Sequence, residues 1–169
     1  MRRRPRSSLA LLVALACAAC SRQGEPAAPV ATPAPGPPHA LAEAAADVPY
    51  LLVRVLEVRR TGPDVVTVAM ELVNTGAPGR ILALGSIFAA DPRDAGSLAD
   101  MFLLDESGQR RYYLLRDAAD RPRCSILAAG LVPGEPRAVW ASFPAPPPGV
   151  SRLTVCLPHV PPMRGVPIS

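Results

Sequence analysis

From residue 48 onward the chain alternates short apolar runs with turn residues. The clearest run is "DVVTVAMELVN". There Val66, Val68, Met70 and Leu72 fall on one side, and Thr67 and Glu71 on the other. A period of two over this length predicts a strand with one buried face. Residues 49–60 form an earlier apolar run. "GRILALGSIFA", "DMFLLD", "QRRYYLLRD" and a short "RCSILA" follow, then "PRAVWASF" and "SRLTVCLP". Asp105-Glu106-Ser107-Gly108 reads as the hairpin turn between the "DMFLLD" and "QRRYYLLRD" strands. Pro133-Gly134-Glu135 reads as the turn before "PRAVWASF". "DAGSLADMFLL" carries the sole helical signal, a turn or two. About seven to eight strands, with turn signals roughly every ten residues, predict an all-β antiparallel sandwich. A parallel sheet would need crossover helices, which this stretch lacks. Trp140, the lone tryptophan, sits on an alternating strand and is expected to pin the two sheets from within the core.

The N-terminus has a different pattern. Arg2, Arg3, Arg4 and Arg6 precede a run of small apolar residues, and "LVALACAACSRQ" closes it. Charged, then greasy, then small is the order of a secretory signal peptide. The run is shorter than the ~20 apolar residues that span a bilayer. Bacterial lipoprotein signals end in a cysteine that becomes the lipid-bearing first residue. Cys20 follows Ala18-Ala19 and precedes polar Ser21-Arg22-Gln23, which makes it the expected lipidation site. Cys17 is the alternative, and a plain signal peptide cleaved near Ala19 is a third reading. The resulting plan is a lipoprotein signal peptide over residues 1–19, a lipidated N-terminus and linker over 20–47, and a folded domain over 48–169. The linker, "EPAAPVATPAPGPPHALAEAAAD", has no apolar face. Its prolines make it an extended, disordered tether with at most a helical turn near residues 40–46. His39 lies within it.

Charge narrows the partners. The formal charge is +4, from 18 basic and 14 acidic residues. Four of the basic residues lie in the signal, and 18 − 4 leaves 14 against 14. The basic isoelectric point therefore belongs to the targeting segment, and nucleic acid is not an expected partner. No Gly-rich phosphate loop joins a strand to a helix, and no cofactor is expected.

Candidate chemistry in the folded part is sparse. Cys124 and Cys156 would lie outside the cytoplasm, where thiols oxidise. A bridge between them would close a loop of about 30 residues, worth ~3–4 kcal/mol in the chain-entropy account. In "SRLTVCLP", Leu153, Val155 and Leu157 share one face and Cys156 the other, so such a bridge is expected on an outer face. His159 is the folded part's histidine, and no Gly-x-Ser-x-Gly elbow accompanies it. Asp91, Asp94 and Asp100, followed by Asp105 and Glu106, make loop 91–106 acidic. Its aspartates suit turn starts and caps. The sharper readings are a hydrolase carboxylate pair or a calcium-dependent binding loop. Loop residues Asp91, Asp94 and Asp100, with Arg116 and Arg123 in the next irregular stretch, are the candidate partner-binding surface.

One further signal lies in the last third of the chain. Pro133-Gly134-Glu135, Phe143-Pro144-Ala145-Pro146-Pro147, Leu157-Pro158 and Val166-Pro167-Ile168 resemble the telokin-like, immunoglobulin-like modules of bacterial secreted proteins and lipoproteins. "FLLDESGQRRYYLLRD" is similar to that family's Asp-x-x-Gly hairpin. The resemblance implies an immunoglobulin-like sandwich and carries no catalytic residues. The expectation is a non-catalytic binding or structural module held to a membrane of the bacterial cell envelope. Its partners would be the lipid bilayer and an envelope protein or cell-wall polymer.

Overall fold

A computed structural model describes residues 39–169. The signal peptide, Cys17, Cys20 and the linker up to residue 38 lie outside the described residues. Two four-stranded antiparallel sheets enclose one core, as an all-β sandwich requires. The strands are β1 (Ala42–Ala45), β2 (Leu51–Arg60), β3 (Val65–Asn74), β4 (Phe102–Asp105), β5 (Arg110–Tyr113), β6 (Arg137–Pro144), β7 (Arg152–Leu157) and β8 (Val160–Pro167). The first sheet runs β1-β2-β3-β6 and the second β5-β4-β7-β8. The architecture is that of an antiparallel β-sandwich.

The alternation in β3 sets the inner face. Val66, Val68, Met70 and Leu72 are all buried. In β2 the register slips between Val55 and Glu57, a bulge that takes Leu56 as the extra residue. That slip turns Val55 and Val58 to the same side, so both reach the core despite odd spacing. β6 adds Val139, Ala141 and Phe143, and the second sheet adds Leu103, Leu153, Val155 and Leu157. Each such side chain contributes about 1.5–3 kcal/mol on burial.

Several expected elements differ. "GRILALGSIFA" and "RCSILA" are not strands: each makes only an isolated antiparallel bridge, Leu82 to Leu131 and Cys124 to Ala141. Their apolar residues are core plugs instead. Leu84 and Phe88 are buried from a chain that turns at Gly85, where φ is 35°. The helical turns expected over residues 94–104 do not form: one 3₁₀ turn over Pro92–Asp94 precedes the stretch, turns follow, and β4 takes its end. β1 lies inside the stretch read as tether and possible helical turn. Its alanines are weak strand formers, but β2 offers an open edge, and Ala42 to Ala45 pair with Val55 to Leu52. β8 carries Pro161, Pro162 and Pro167, which read as breakers. It is an edge strand, and an edge tolerates missing donors. Trp140 is not in the core. Val139, Ala141 and Phe143 take the inward positions of β6, so Trp140 projects from the outer face opposite Ala69.

Long loops join the sheets without helices, and side chains hold their backbones. Asn74, at the end of β3, is buried. Its Nδ2 donates to Arg80 O at 2.6 Å and Leu131 O at 2.8 Å, while Oδ1 accepts from Gly76 N at 2.9 Å. Two carbonyls on one side and an N–H on the other settle which end is nitrogen. Arg60 donates to Pro146 O at 2.8 Å, Pro147 O at 3.0 Å and Val150 O at 3.3 Å, clamping the proline-rich loop. The chain's last residue closes the other side: Ser169 exchanges backbone bonds with Val58 and Arg60, both at 2.9 Å.

Asn74→Ala should cost roughly 1–3 kcal/mol, because the buried Leu131 carbonyl loses its donor, with a smaller loss at the half-buried Arg80 carbonyl. Urea unfolding followed by far-ultraviolet circular dichroism checks this. A midpoint indistinguishable from the parent's would mean that water serves those carbonyls equally well.

Candidate functional site

The acidic loop and the 114–123 stretch come together at one end of the sandwich. Asp91 starts the 3₁₀ turn: its Oδ1 accepts Arg93 N at 2.9 Å and its Oδ2 pairs with Arg93 Nη2 at 2.7 Å. Those contacts, the guanidinium bond first and the backbone N–H second, hold the Asp91 carboxyl down to about 2. Asp94 is buried and takes both Arg116 nitrogens in a fork, Nη1 to Oδ1 at 3.3 Å and Nη2 to Oδ2. Arg116 also donates to Asp120 O at 2.6 Å. Its pKa is raised, chiefly by the bond to Asp94. Asp117 accepts Ala119 N at 2.8 Å and Arg121 N at 3.0 Å, and Arg121 Nε at 2.9 Å. The Arg121 backbone bond is the main cause of its lowered pKa.

A cleft of about 310 Å³ lies among Arg93, Asp94, Arg116, Asp120, Arg121 and Pro122. Of the five residues singled out in sequence, the structure brings Asp94 and Arg116 together and places Asp91 beside them through Arg93. Asp100 and Arg123 do not line the cleft. Asp100 Oδ2 accepts Ala90 N at 2.7 Å. Arg123 is exposed, and its backbone joins Leu115 at 2.8 Å and Ser142 at 3.0 Å.

The remaining acids are also engaged. Asp105 Oδ1 accepts Gly108 N at 3.0 Å, closing the expected hairpin turn. Glu106 Oε1 accepts Thr154 Oγ1 at 2.8 Å and Arg164 Nη1 at 2.9 Å. Each carboxylate of loop 91–106 thus serves a neighbouring backbone or guanidinium. A general acid needs an elevated pKa, and Asp91 moves the opposite way. Among the described residues no three His, Cys, Asp or Glu side chains are grouped to hold a metal ion. His159, on the β7–β8 turn, donates from Nδ1 to Asp47 Oδ1 at 2.9 Å and so ties the end of the β1 segment to the second sheet.

The two cysteines are free thiols, which corrects the expected Cys124–Cys156 bridge. Cys124 bridges to Ala141 beside β6 and belongs to the core, where its Sγ accepts Leu98 N at 3.4 Å. Cys156 lies on the other sheet and, as its parity implies, on the face away from the core. It is nonetheless buried. Phe102 stands directly across from it, with Arg111 stacked 5.1 Å above that ring. Burial raises the pKa of both thiols. Parity found the face of Cys156, but the loop path that carries Cys124 to the β6 side left no trace in spacing.

What sequence reasoning passed over is an apolar strip. Residues 124–134, "CSILAAGLVPG", carry no charge, yet Ile126 and Val132 are exposed, as is Ile81 nearby. The charge-free run was the available signal. Compared with family models, curated proteins and solved structures, the chain shows no significant match to any.

Two outcomes are expected. Asp91 holds its proton less readily folded than unfolded, so its contribution to the loop is present above the ordinary 3.8 and fades as pH falls through about 2. A carboxyl-carbon NMR titration should place its midpoint near 2; a midpoint at the ordinary value would break the Arg93 assignment. Alkylation should leave Cys124 and Cys156 unlabelled in the native protein and label both after unfolding without reductant. A peptide pair that resists labelling until reduced would show a bridge.

Proposed function

We propose that the protein is a lipid-anchored lipoprotein of the bacterial cell envelope. Its sandwich domain acts as a non-catalytic binding or structural module, with an envelope protein or cell-wall polymer as partner. One observation carries the non-catalytic part. The charged side chains of the loop cluster, the place where chemistry was most expected, are consumed in holding the loops. Arg116 is committed to Asp94 and Asp120, Arg93 to Asp91, and Arg121 to Asp117. A nucleophile or acid needs a reactive group held ready, and these groups are already paired with one another.

The anchor rests on the N-terminal sequence: an arginine cluster, a short apolar run, and Cys20 between small and polar residues. The telokin-like assignment belongs to the same proposal. Its Pro133-Gly134-Glu135 motif occupies a turn with Gly134 at φ 77°, a conformation that favours glycine. Its Asp-x-x-Gly motif occupies the β4–β5 hairpin. Sandwich modules of this kind present loops and edges to partners on a rigid frame.

Growth with labelled palmitate, followed by isolation of the protein, tests the anchor. The label is expected in the parent and absent from Cys20→Ala. Label lost only in Cys17→Ala would move the anchor to Cys17, and an unlabelled parent would overturn it. In-cell crosslinking tests the module: a defined adduct is expected, and recovery of free monomer alone counts against a partner.

A further inference from the structure

The uncharged segment 124–134 runs along the free side of β6. Ser125 N donates to Trp140 O, and Trp140 N to Ser125 Oγ, both at 2.9 Å. Leu131 and Leu82 exchange both backbone bonds, at 2.7 and 3.1 Å. Burial sorts the side chains without a regular period, and Cys124 belongs to the core. Leu127 and Leu131 enter the core, while Ile126 and Val132 face outward. The antiparallel Leu82–Leu131 bridge sets Ile81 opposite Val132 on that outward side. Gly130 leaves the room Ile81 occupies: a Cβ there would stand 2.4 Å from Ile81 Cγ2. Ile126 is 70 % exposed, Ile81 63 %, Trp140 44 % and Val132 39 %. Water would ordinarily select polar residues at such positions.

We propose that this strip docks on the surface of the bilayer to which the chain is tethered, a reading that rests on the lipid anchor proposed above. Three observations favour lipid over a protein. The first is reach. Cys20 is followed by 18 residues, 21–38, before the described domain begins. A chain of that length spans up to about 60 Å. The strip lies at the opposite edge of the first sheet from β1. Beside β6 the strip stands four strand spacings from β1, roughly 19 Å, so the tether lets the strip meet the membrane. The second is composition. Ile81, Ile126 and Val132 suit the acyl boundary, and a tryptophan ring with its N–H suits the headgroup level. The third is charge. The Arg137 guanidinium donates to Ala129 O and to Gly130 O at 2.7 Å, so a cation borders segment 124–134, which holds no acid. Glu135, just beyond it, is the first acid in the chain after the strip. A cationic rim meets lipid phosphates. An anchored domain needs only a weak second contact, because the tether keeps its local concentration high.

Trp140 is the chain's one tryptophan, so its emission reports this strip alone. The lipidated protein, purified from membranes, is reconstituted into phosphatidylethanolamine–phosphatidylglycerol vesicles with and without brominated acyl chains. The expected result is flotation with the vesicles, a blue-shifted Trp140 emission, and loss of that emission in the brominated vesicles. Ile81→Asp with Ile126→Asp should abolish the quenching while flotation and the thermal midpoint stay unchanged, since both positions are exposed. Floated protein with unquenched Trp140 overturns the proposal while leaving the anchor intact. If that unquenched protein also dimerises, and the double variant does not, the strip is a contact between two copies. Protein that fails to float overturns the anchor, and the bilayer contact with it.

Discussion

The structure depends on a buried amide. A sandwich without crossover helices must carry its chain between sheets through irregular segments, and each buried peptide group in them needs a partner. Asn74 answers this at the end of β3, where one side chain satisfies carbonyls from two separate segments and caps its own turn. Those segments also deliver Leu84 and Leu131 to the core. The amide therefore does more than close a turn. It fixes the path that lets the plugging residues reach the inner face, and the core in turn excludes the water that would compete for the same carbonyls.

The arginines extend this logic. Arg60 and Arg137 each bind several carbonyl oxygens, and Arg116 grips a buried aspartate with its planar fork. A guanidinium presents five donors in a fixed plane, which suits loop backbones whose carbonyls converge. The consequence for function is direct. Charge gathered at one end of the domain looks in sequence like a reactive loop, yet in space it is a set of closed pairs. Those pairs commit the side chains to the loops, and on the function proposed above what the domain offers a partner is surface.

Two kinds of surface remain. The charged end is balanced internally, so its attraction for a charged partner is short-ranged and screened. The strip beside β6 is apolar, bonded through Ser125 to the exposed Trp140, and bordered by Arg137. Its backbone is committed to β6 and to Leu82, so it is not a bare strand edge inviting another strand. The side chains alone are on offer. Lipid demands no register, which fits a surface of this type held near a membrane by a tether.

How much was legible varies with the range of the cause. Period-two alternation in β3 and β7 was enough to assign the strands and their inward faces, because strand side chains alternate whatever the partner. The Asp105–Gly108 hairpin was equally local. The all-β class followed from many short runs without helical periodicity. Tertiary structure alone decided the rest. Leu84 and Phe88 look like strand residues until a turn at Gly85 makes them plugs. Ala42 to Ala45 become a strand only because β2 has an open edge. Trp140 falls outside because Val139, Ala141 and Phe143 take the inward positions of β6. Asp94 and Arg116, 22 positions apart with β4 and β5 between them, meet, and Cys124 and Cys156 part onto different sheets, by chain paths that leave no periodic signature. Alternation is a property of neighbouring residues and is written in their order. Which loop closes on which sheet is settled by burial and hydrogen-bond demand over the whole fold.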